Sequence, residues 1–185
     1  MGWGSPVTHI IVMLSFDLET TGLDPRSDSI TCAAVYDPDA GIDRAFLLGR
    51  GEDAVEFLQL LDQADRLCAF NGARFDLAFL RHSLKVPAER VRAWRLKLHD
   101  VYEACRLGLG VTFPLNALLA ANGLEGKTGS GQEAVEMART GRWEELAEYC
   151  LHDTRMTHRV SNLDRIVLPK TRGICMTRMG EFVSA

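Results

Sequence analysis

The sequence predicts an α/β protein built on a mixed sheet. Three strand patterns follow one another at turn spacing, a strand–helix–strand unit comes next, and helical periodicities fill most of the second half. The apolar and charged fractions, 46% and 25%, are those of an ordinary globular protein rather than of a disordered or fibrous one. At 185 residues the length fits one domain with one sizeable core. The expected division is a single domain over 1–185, with its core over about 8–168 and a tail over 169–185 that either adds an edge strand or packs loosely.

Residues 10–17 form an Ile- and Val-rich run and read as a central strand. Turn chemistry at Asp24-Pro25 and Ser27-Asp28-Ser29 leads into a second strand over 30–36. A further turn at 37–41 leads into a third strand over 45–48, so the three form an antiparallel meander. Ala54, Phe57, Leu58 and Leu61 recur at helical spacing, which predicts an amphipathic helix over 52–63. Residues 67–70 are apolar and end at Asn71-Gly72. They read as a buried strand, and the crossover before them favours a parallel partner. The helix expected over 73–85 is nearly encircled by Phe75, Leu77, Phe79, Leu80 and Leu84, so it should be deeply buried.

Beyond Pro87 a fifth strand is expected at 96–98, ending at His99-Asp100, with a helix continuing over 101–107. Leu115, Leu118 and Leu119 mark a helix stopped by Asn122-Gly123. A loop over 126–131, a short helix over 132–139 and the longest helix over 143–162 complete the pattern.

The net charge of −4 argues against coating of duplexes by charge alone. Arg155, Arg159, Arg165, Lys170, Arg172 and Arg178 gather late in the chain, either as a solvated face or as a strip for a phosphate backbone. Five widely spaced cysteines without a C-x-x-C pair fit neither a disulfide framework nor a zinc site. Cys32, Cys68 and Cys150 read as small buried hydrophobes in a reducing compartment. Residues 1–7 lack a secretory pattern, no apolar run has membrane-spanning length, and a cytoplasmic or nuclear protein is expected.

Three segments carry candidate chemistry. In Phe16-Asp17-Leu18-Glu19-Thr20-Thr21-Gly22 two acids at i and i+2 on a strand share one face. Two charges at the end of an apolar strand are costly unless they are exposed or bound to a cation, and hard cations prefer oxygen ligands. Asp76 lies at the start of an otherwise apolar helix, where the dipole favours an anion. Tyr149 and Asp153 stand one turn apart, on a face continued by Met156 and Val160. Each segment alone has an ordinary structural explanation: a solvated strand end, a helix-start acid, a hydrogen-bonded Tyr–Asp pair.

Together, over residues of about 10–160, the segments resemble in order and spacing the three motifs of the DEDD superfamily of 3′→5′ exonucleases. The match is to the subclass with tyrosine four residues before the last aspartate. The other subclass has histidine five residues before it, where this chain has Glu148; His152 is out of that register and reads as a helix-surface residue.

The resemblance implies a ribonuclease H-like fold with a five-stranded sheet, and two Mg²⁺ or Mn²⁺ ions held by Asp17, Glu19, Asp76 and Asp153. It implies that Tyr149 orients a water. It also implies that Thr20, Thr21, Leu23 and Asn71 border the 3′-terminal nucleotide of a single-stranded DNA or RNA, and that nucleoside 5′-monophosphates are released. Asp100 is expected to be structural rather than a metal ligand, and Trp3, Trp94, Phe113 and Trp143 are weaker candidates for stacking on bases. The alternatives are a binding module whose nuclease activity has lapsed and a proofreading-type domain acting within a larger polymerase or helicase.

Overall fold

A computed structural model describes residues 13–126, 129–177 and 180–184. The expectations for residues 10–12, Trp3 and Arg178 lie outside the described residues, as does part of the 126–131 loop. Strands β1 (Met13–Thr20), β2 (Ile30–Asp37), β3 (Ile42–Phe46), β4 (Arg66–Ala69) and β5 (Leu98–Asp100) form one five-stranded sheet in the order β3-β2-β1-β4-β5. The first three pair antiparallel, while β4 joins β1 and β5 joins β4 in parallel. The mixed sheet expected from the sequence is therefore present, with β1 at its centre.

Helices cover both faces. On one side lie α1 (Val55–Gln63), α2 (Asp76–His82) and α3 (Ala88–Leu96). They bury Leu14, Phe16 and Leu18 of β1 with Val35, Phe57, Leu61, Phe79 and Trp94. On the other side lie α6 (Gly131–Thr140) and α7 (Trp143–Ser161), which close over Cys32 and Ala34 through Ala134, Leu146 and Cys150. The two-residue period of a strand makes this division: Leu14, Phe16 and Leu18 face the first layer and Ser15, Asp17 and Glu19 face α7, up to the register shift between Glu19 and Thr20.

Three expectations are corrected. The fifth strand begins at Leu98, not Leu96, because Leu96 ends α3, a helix that the sequence reading left out. The helix after Asn71 is shorter than 73–85, because residues 71–75 form a turn in which Phe75 N–H donates to Asn71 O and Leu77 N–H to Gly72 O. The C-terminal region adds no strand to the main sheet. Instead β6 (Arg165–Val167), β7 (Ile174–Thr177) and β8 (Phe182–Ser184) pair antiparallel as a second, three-stranded sheet. Ile166, Leu168 and Met176 pack with Val101 and Cys105 of α4 (Val101–Leu109) and Leu118 of α5 (Leu115–Ala121), so this sheet has its own apolar anchor.

The basic residues do not form one strip. Arg155 is bound to Asp43 and Glu148, which ties α7 to β3, and Arg165 reaches the Ser184 carbonyl. All five cysteines are free and buried. Among the described residues no helix is long and apolar enough to cross a membrane.

Candidate active site

Asp17 and Glu19 leave β1 on the α7 face, opposite Ala34 and Cys32 of β2. Small residues at those two positions leave room above the strand, and α7 enters it. The Cys150 thiol donates to Asp17 O at 3.6 Å. An oxygen of Asp17, an oxygen of Glu19 and Cys150 Sγ all lie within 4.8 Å of one another. Farther along, Ser15 Oγ meets His158 Nδ1 at 2.9 Å, so α7 runs antiparallel to β1, with Asp153 between these two contacts along the helix. Asp153 and Tyr149 are both buried, at 1% and 4% exposure. Burial and the carboxylates of Asp17 and Glu19, after its contact with Cys32, hold the Cys150 thiol well above its ordinary range, so it remains protonated.

Asp76 arrives from the other direction, at the start of α2. The turn before it is pinned by Asp100, whose carboxylate accepts from Asn71 N–H and Ala73 N–H at 3.0 Å each and caps α4 through Glu103 N–H at 3.1 Å. All three carboxylate contacts are spent on backbone amides, so Asp100 positions the loop that carries Asp76. Gly72 is required in that loop: a Cβ there would sit 2.4 Å from Ala69 Cβ and 3.3 Å from Asp76 Oδ2. Asp76 is only 2% exposed, and its Oδ1 is buried without a hydrogen-bond partner. Its pKa is pushed well above the ordinary carboxylate range, first by burial and then by the charges of Asp17 and Asp100.

These groups open on a cleft of about 610 Å³. Asp17, Glu19 and Asp76 form its floor; Thr20, Leu23, Asn71 and Phe75 form one rim. The other rim is Ser130, Gly131, Gln132 and Val135, at the start of α6. A capping box holds that rim: Glu133 N–H donates to Ser130 Oγ, and Ser130 N–H donates to Glu133 Oε2 at 2.6 Å. Leu23 is 84% exposed, an apolar side chain left in water at the mouth. Asp153 and Tyr149 are buried and do not line the cleft.

Thr21 is placed apart from the cleft. Its hydroxyl donates to Asp28 Oδ1 and accepts from Ser29 N–H, closing the loop after β1. That loop is tight enough that a Cβ on Gly22 would lie 2.4 Å from Asp28 Oδ2. His152 is half-exposed, its Nε2 paired with Gly126 O at 2.9 Å. Trp94 is buried and donates to Asp62, and Phe113 is buried, so neither ring is open for stacking.

The sequence reading missed the α6 rim, although the S-x-x-E pattern of Ser130 and Glu133 announces a capped helix there. It missed the part of Cys150 beside Asp17, for which the sequence holds no signal beyond its place next to Tyr149.

A hard divalent cation fits this donor set. The site offers carboxylate oxygens from two strand positions and a helix start, and one of those oxygens is buried with nothing to satisfy it. A buried acid beside another acid must either hold a proton or face a cation.

Comparison with curated proteins finds no sequence match. Among solved structures the chain is similar to the family B DNA polymerase of the archaeon Pyrobaculum calidifontis, at 20% identity and a TM-score of 0.59 over 85% of this chain. A structure described as the apo form of a nuclease gives the same identity and TM-score over 80% of this chain. E. coli exonuclease I in complex with a dT13 oligonucleotide gives 16% identity and a TM-score of 0.52 over 82%. The chain spans 24% of the polymerase, 69% of the nuclease and 41% of exonuclease I, and the likeness is one of fold. A family model described as RNase_H superfamily matches residues 14–163, which run from β1 to the end of α7 and include all four candidate acids. By that match the chain belongs to the RNase H superfamily.

Proposed function

We propose that this protein is a divalent-metal-dependent 3′→5′ exonuclease of the tyrosine-containing DEDD subclass, acting on single-stranded nucleic-acid ends. The observation that carries the reading is the meeting of Asp17, Glu19 and Asp76 on the floor of one open cleft, with a buried, unsatisfied oxygen on Asp76. Stability alone gives no reason to bring three acids together, since like charges disfavour one another's ionisation.

Asp17, Glu19, Asp76 and Asp153 would hold two Mg²⁺ or Mn²⁺ ions. When bound, such ions lower the pKa of a water and stabilise charge on the attacking and leaving oxygens of an in-line displacement. The chain's own residues do the rest. Tyr149, held by packing against Ala134, Leu146 and Cys150, orients the attacking water through its hydroxyl. It is not the base, because a phenol titrates near 10. Leu23 and Phe75 give the terminal base an apolar seat at the mouth, with Thr20 and Asn71 beside it. Thr21 acts through the loop that it closes rather than by touching the strand. Asp100 holds Asn71 and Ala73 by their amides and so fixes the approach to Asp76.

The test is hydrolysis of a 5′-labelled single-stranded oligonucleotide, as DNA and as RNA, with Mg²⁺, with Mn²⁺ and with EDTA. The expected result is a metal-dependent ladder shortening from the 3′ end, with nucleoside 5′-monophosphate as product. Efficient cutting of a circular single strand would overturn the exonuclease reading. Binding without hydrolysis in either metal would mark a lapsed module instead.

A further inference from the structure

The cleft does not end at Asn71. Phe70 and Asn71 also form the near wall of a second recess of about 410 Å³, whose far side is Tyr102, Thr112, Pro114 and Lys170. Phe70 and Tyr102 are half-buried, and their rings stand 5.4 Å apart at 65°, braced from behind by the buried Phe113. Two half-buried aromatic rings thus line a depression that adjoins the cleft of the carboxylates.

Lys170 comes from the turn between β6 and β7. Its Nζ donates one hydrogen bond, to Thr112 O at 3.2 Å, which holds the ammonium over the recess. It is exposed, and among the described residues no carboxylate pairs with it, unlike Arg155, Arg90 or Arg139. The turn is fixed rather than loose: Thr171 Oγ1 donates to Leu168 O at 2.7 Å and also contacts Ile174 O. Lys170 has φ of 63° and Arg172 of 51°, a left-handed conformation that side-chain-bearing residues adopt rarely. Asn71, on the opposite wall, has φ of 64°. Backbone cost of this kind persists where the surroundings hold it, and two of its instances face each other across this recess.

Aromatic rings on the walls of a recess that also holds a cation suit a base stacked against a ring and a phosphate held beside it. We propose that the Phe70–Tyr102–Lys170 recess is a second nucleotide subsite, which takes single-stranded nucleic acid one or more positions upstream of the 3′ terminus. The C-terminal sheet is then part of the substrate surface. This inference rests on the exonuclease reading and extends it, since the occupant is the same strand continuing over the Phe70–Asn71 wall.

The test is binding of fluorescein-labelled thymidine and uridine dinucleotides and octanucleotides in EDTA, where hydrolysis is blocked, to wild type, Lys170→Gln and Tyr102→Leu. Wild type is expected to bind the octanucleotide at least about ten-fold more tightly than the dinucleotide. Each variant should narrow that ratio by about five-fold, the loss that one weak stacking or phosphate contact brings. Lys170→Gln should also reduce the slope of log K against log salt by about 0.7, the value for one phosphate contact to a single strand. Lys170 is exposed, so its variant folds even if the Tyr102 variant does not. An unchanged length ratio and salt slope in Lys170→Gln, with the wild type still shortening 3′ ends in Mg²⁺, would overturn the subsite alone. A wild type that neither binds nor hydrolyses the octanucleotide would overturn both readings.

Discussion

The two faces of strand β1 carry opposite chemistry. Leu14, Phe16 and Leu18 are buried among the apolar side chains of α1–α3. Ser15, Asp17 and Glu19 alternate with them and meet α7 through a histidine and a thiol. The backbone, the register and the sheet are common to both sets, so the difference lies wholly in what each face packs against. One face is built to exclude water. The other holds ionisable groups at a depth where burial strains them, as the raised pKa of the Cys150 thiol records. Adjacent residues on this strand should therefore fail in different ways when changed.

The largest contrast sets Asp17→Ala against Phe16→Ala. Under the proposed function Asp17→Ala abolishes hydrolysis, by more than about a thousand-fold, since it removes more than the single hydrogen-bond donor whose loss costs a hundred- to thousand-fold. It should leave the far-ultraviolet spectrum and the cooperative melt intact. Asp153→Ala should behave alike in activity, although its burial makes its effect on folding larger. Turnover near normal in either purified variant breaks the site assignment. Phe16→Ala should destabilise by about 3–5 kcal/mol, the range for emptying a buried aromatic site, with turnover per folded molecule little changed. Denaturant melts read alongside initial rates separate the two failures. If Phe16→Ala lost activity in proportion to Asp17→Ala while remaining folded, the division of labour between the faces would be wrong.

Tyr149→Phe sharpens the comparison on the α7 side. The ring packs with Ala134, Leu146 and Cys150 and is retained, so stability should change little. Turnover should fall by about ten- to a hundred-fold, as for other groups that orient a reacting species. KM should hold, because the hydroxyl acts on the water in the transition state and not on the strand. A loss confined to KM would put Tyr149 in strand binding instead.

The apolar face was more legible in the sequence than the polar one, and local periodicity explains why. The strands β1, β2 and β4, the helices α1 and α7 and the i, i+2 pairing of Asp17 with Glu19 all write their pattern within a few residues. Helix α3 does not: it is charged almost all round, only Trp94 of its residues is buried, and its amphipathic signal is correspondingly faint. The second sheet was missed because its three strands are three or four residues each and pair only with one another. The role of Asp100 depends on β5 lying beside β4, with Ala69 opposite Asp100, and no local pattern contains that adjacency. The candidate acids could be named through the family resemblance, but which of them line the cleft could not. Asp76 reaches it through a turn shaped by Asp100 and Gly72, while Asp153 is buried and does not line it.

The smallest expected effect is on stability, and it tests the acid that meets Asp17 from α2, on the other side of the strand. In the folded protein without metal the Asp76 pKa is raised, by burial first and then by Asp17 and Asp100. In the unfolded chain an aspartate titrates near 3.9. Below the unfolded value the group is neutral in both states and contributes nothing to the pH dependence. Between the unfolded value and the raised folded one, the native state holds a proton that the unfolded chain has released. Stability therefore falls as pH rises through this window, and the deficit is complete above the folded pKa. Asp76→Asn keeps the shape and removes the charge. Its carbonyl oxygen can accept the backbone N–H bonds of Asp76 and Leu18, while its amide nitrogen takes the position of the unsatisfied oxygen and can donate toward Asp17. In EDTA at neutral pH the variant should melt above wild type by at least about 2 °C, the shift that roughly 1 kcal/mol produces in a domain of this size. At pH near 3.5 the two should converge. Adding Mg²⁺ should raise the wild-type melting temperature more than the variant's, because binding to the folded state alone stabilises it and the variant has lost a ligand. Thermal melts of both proteins at three pH values, with and without metal, decide the matter. A variant that melts below wild type at neutral pH in EDTA, or gains as much from Mg²⁺, would show that Asp76 is a structural helix-start acid.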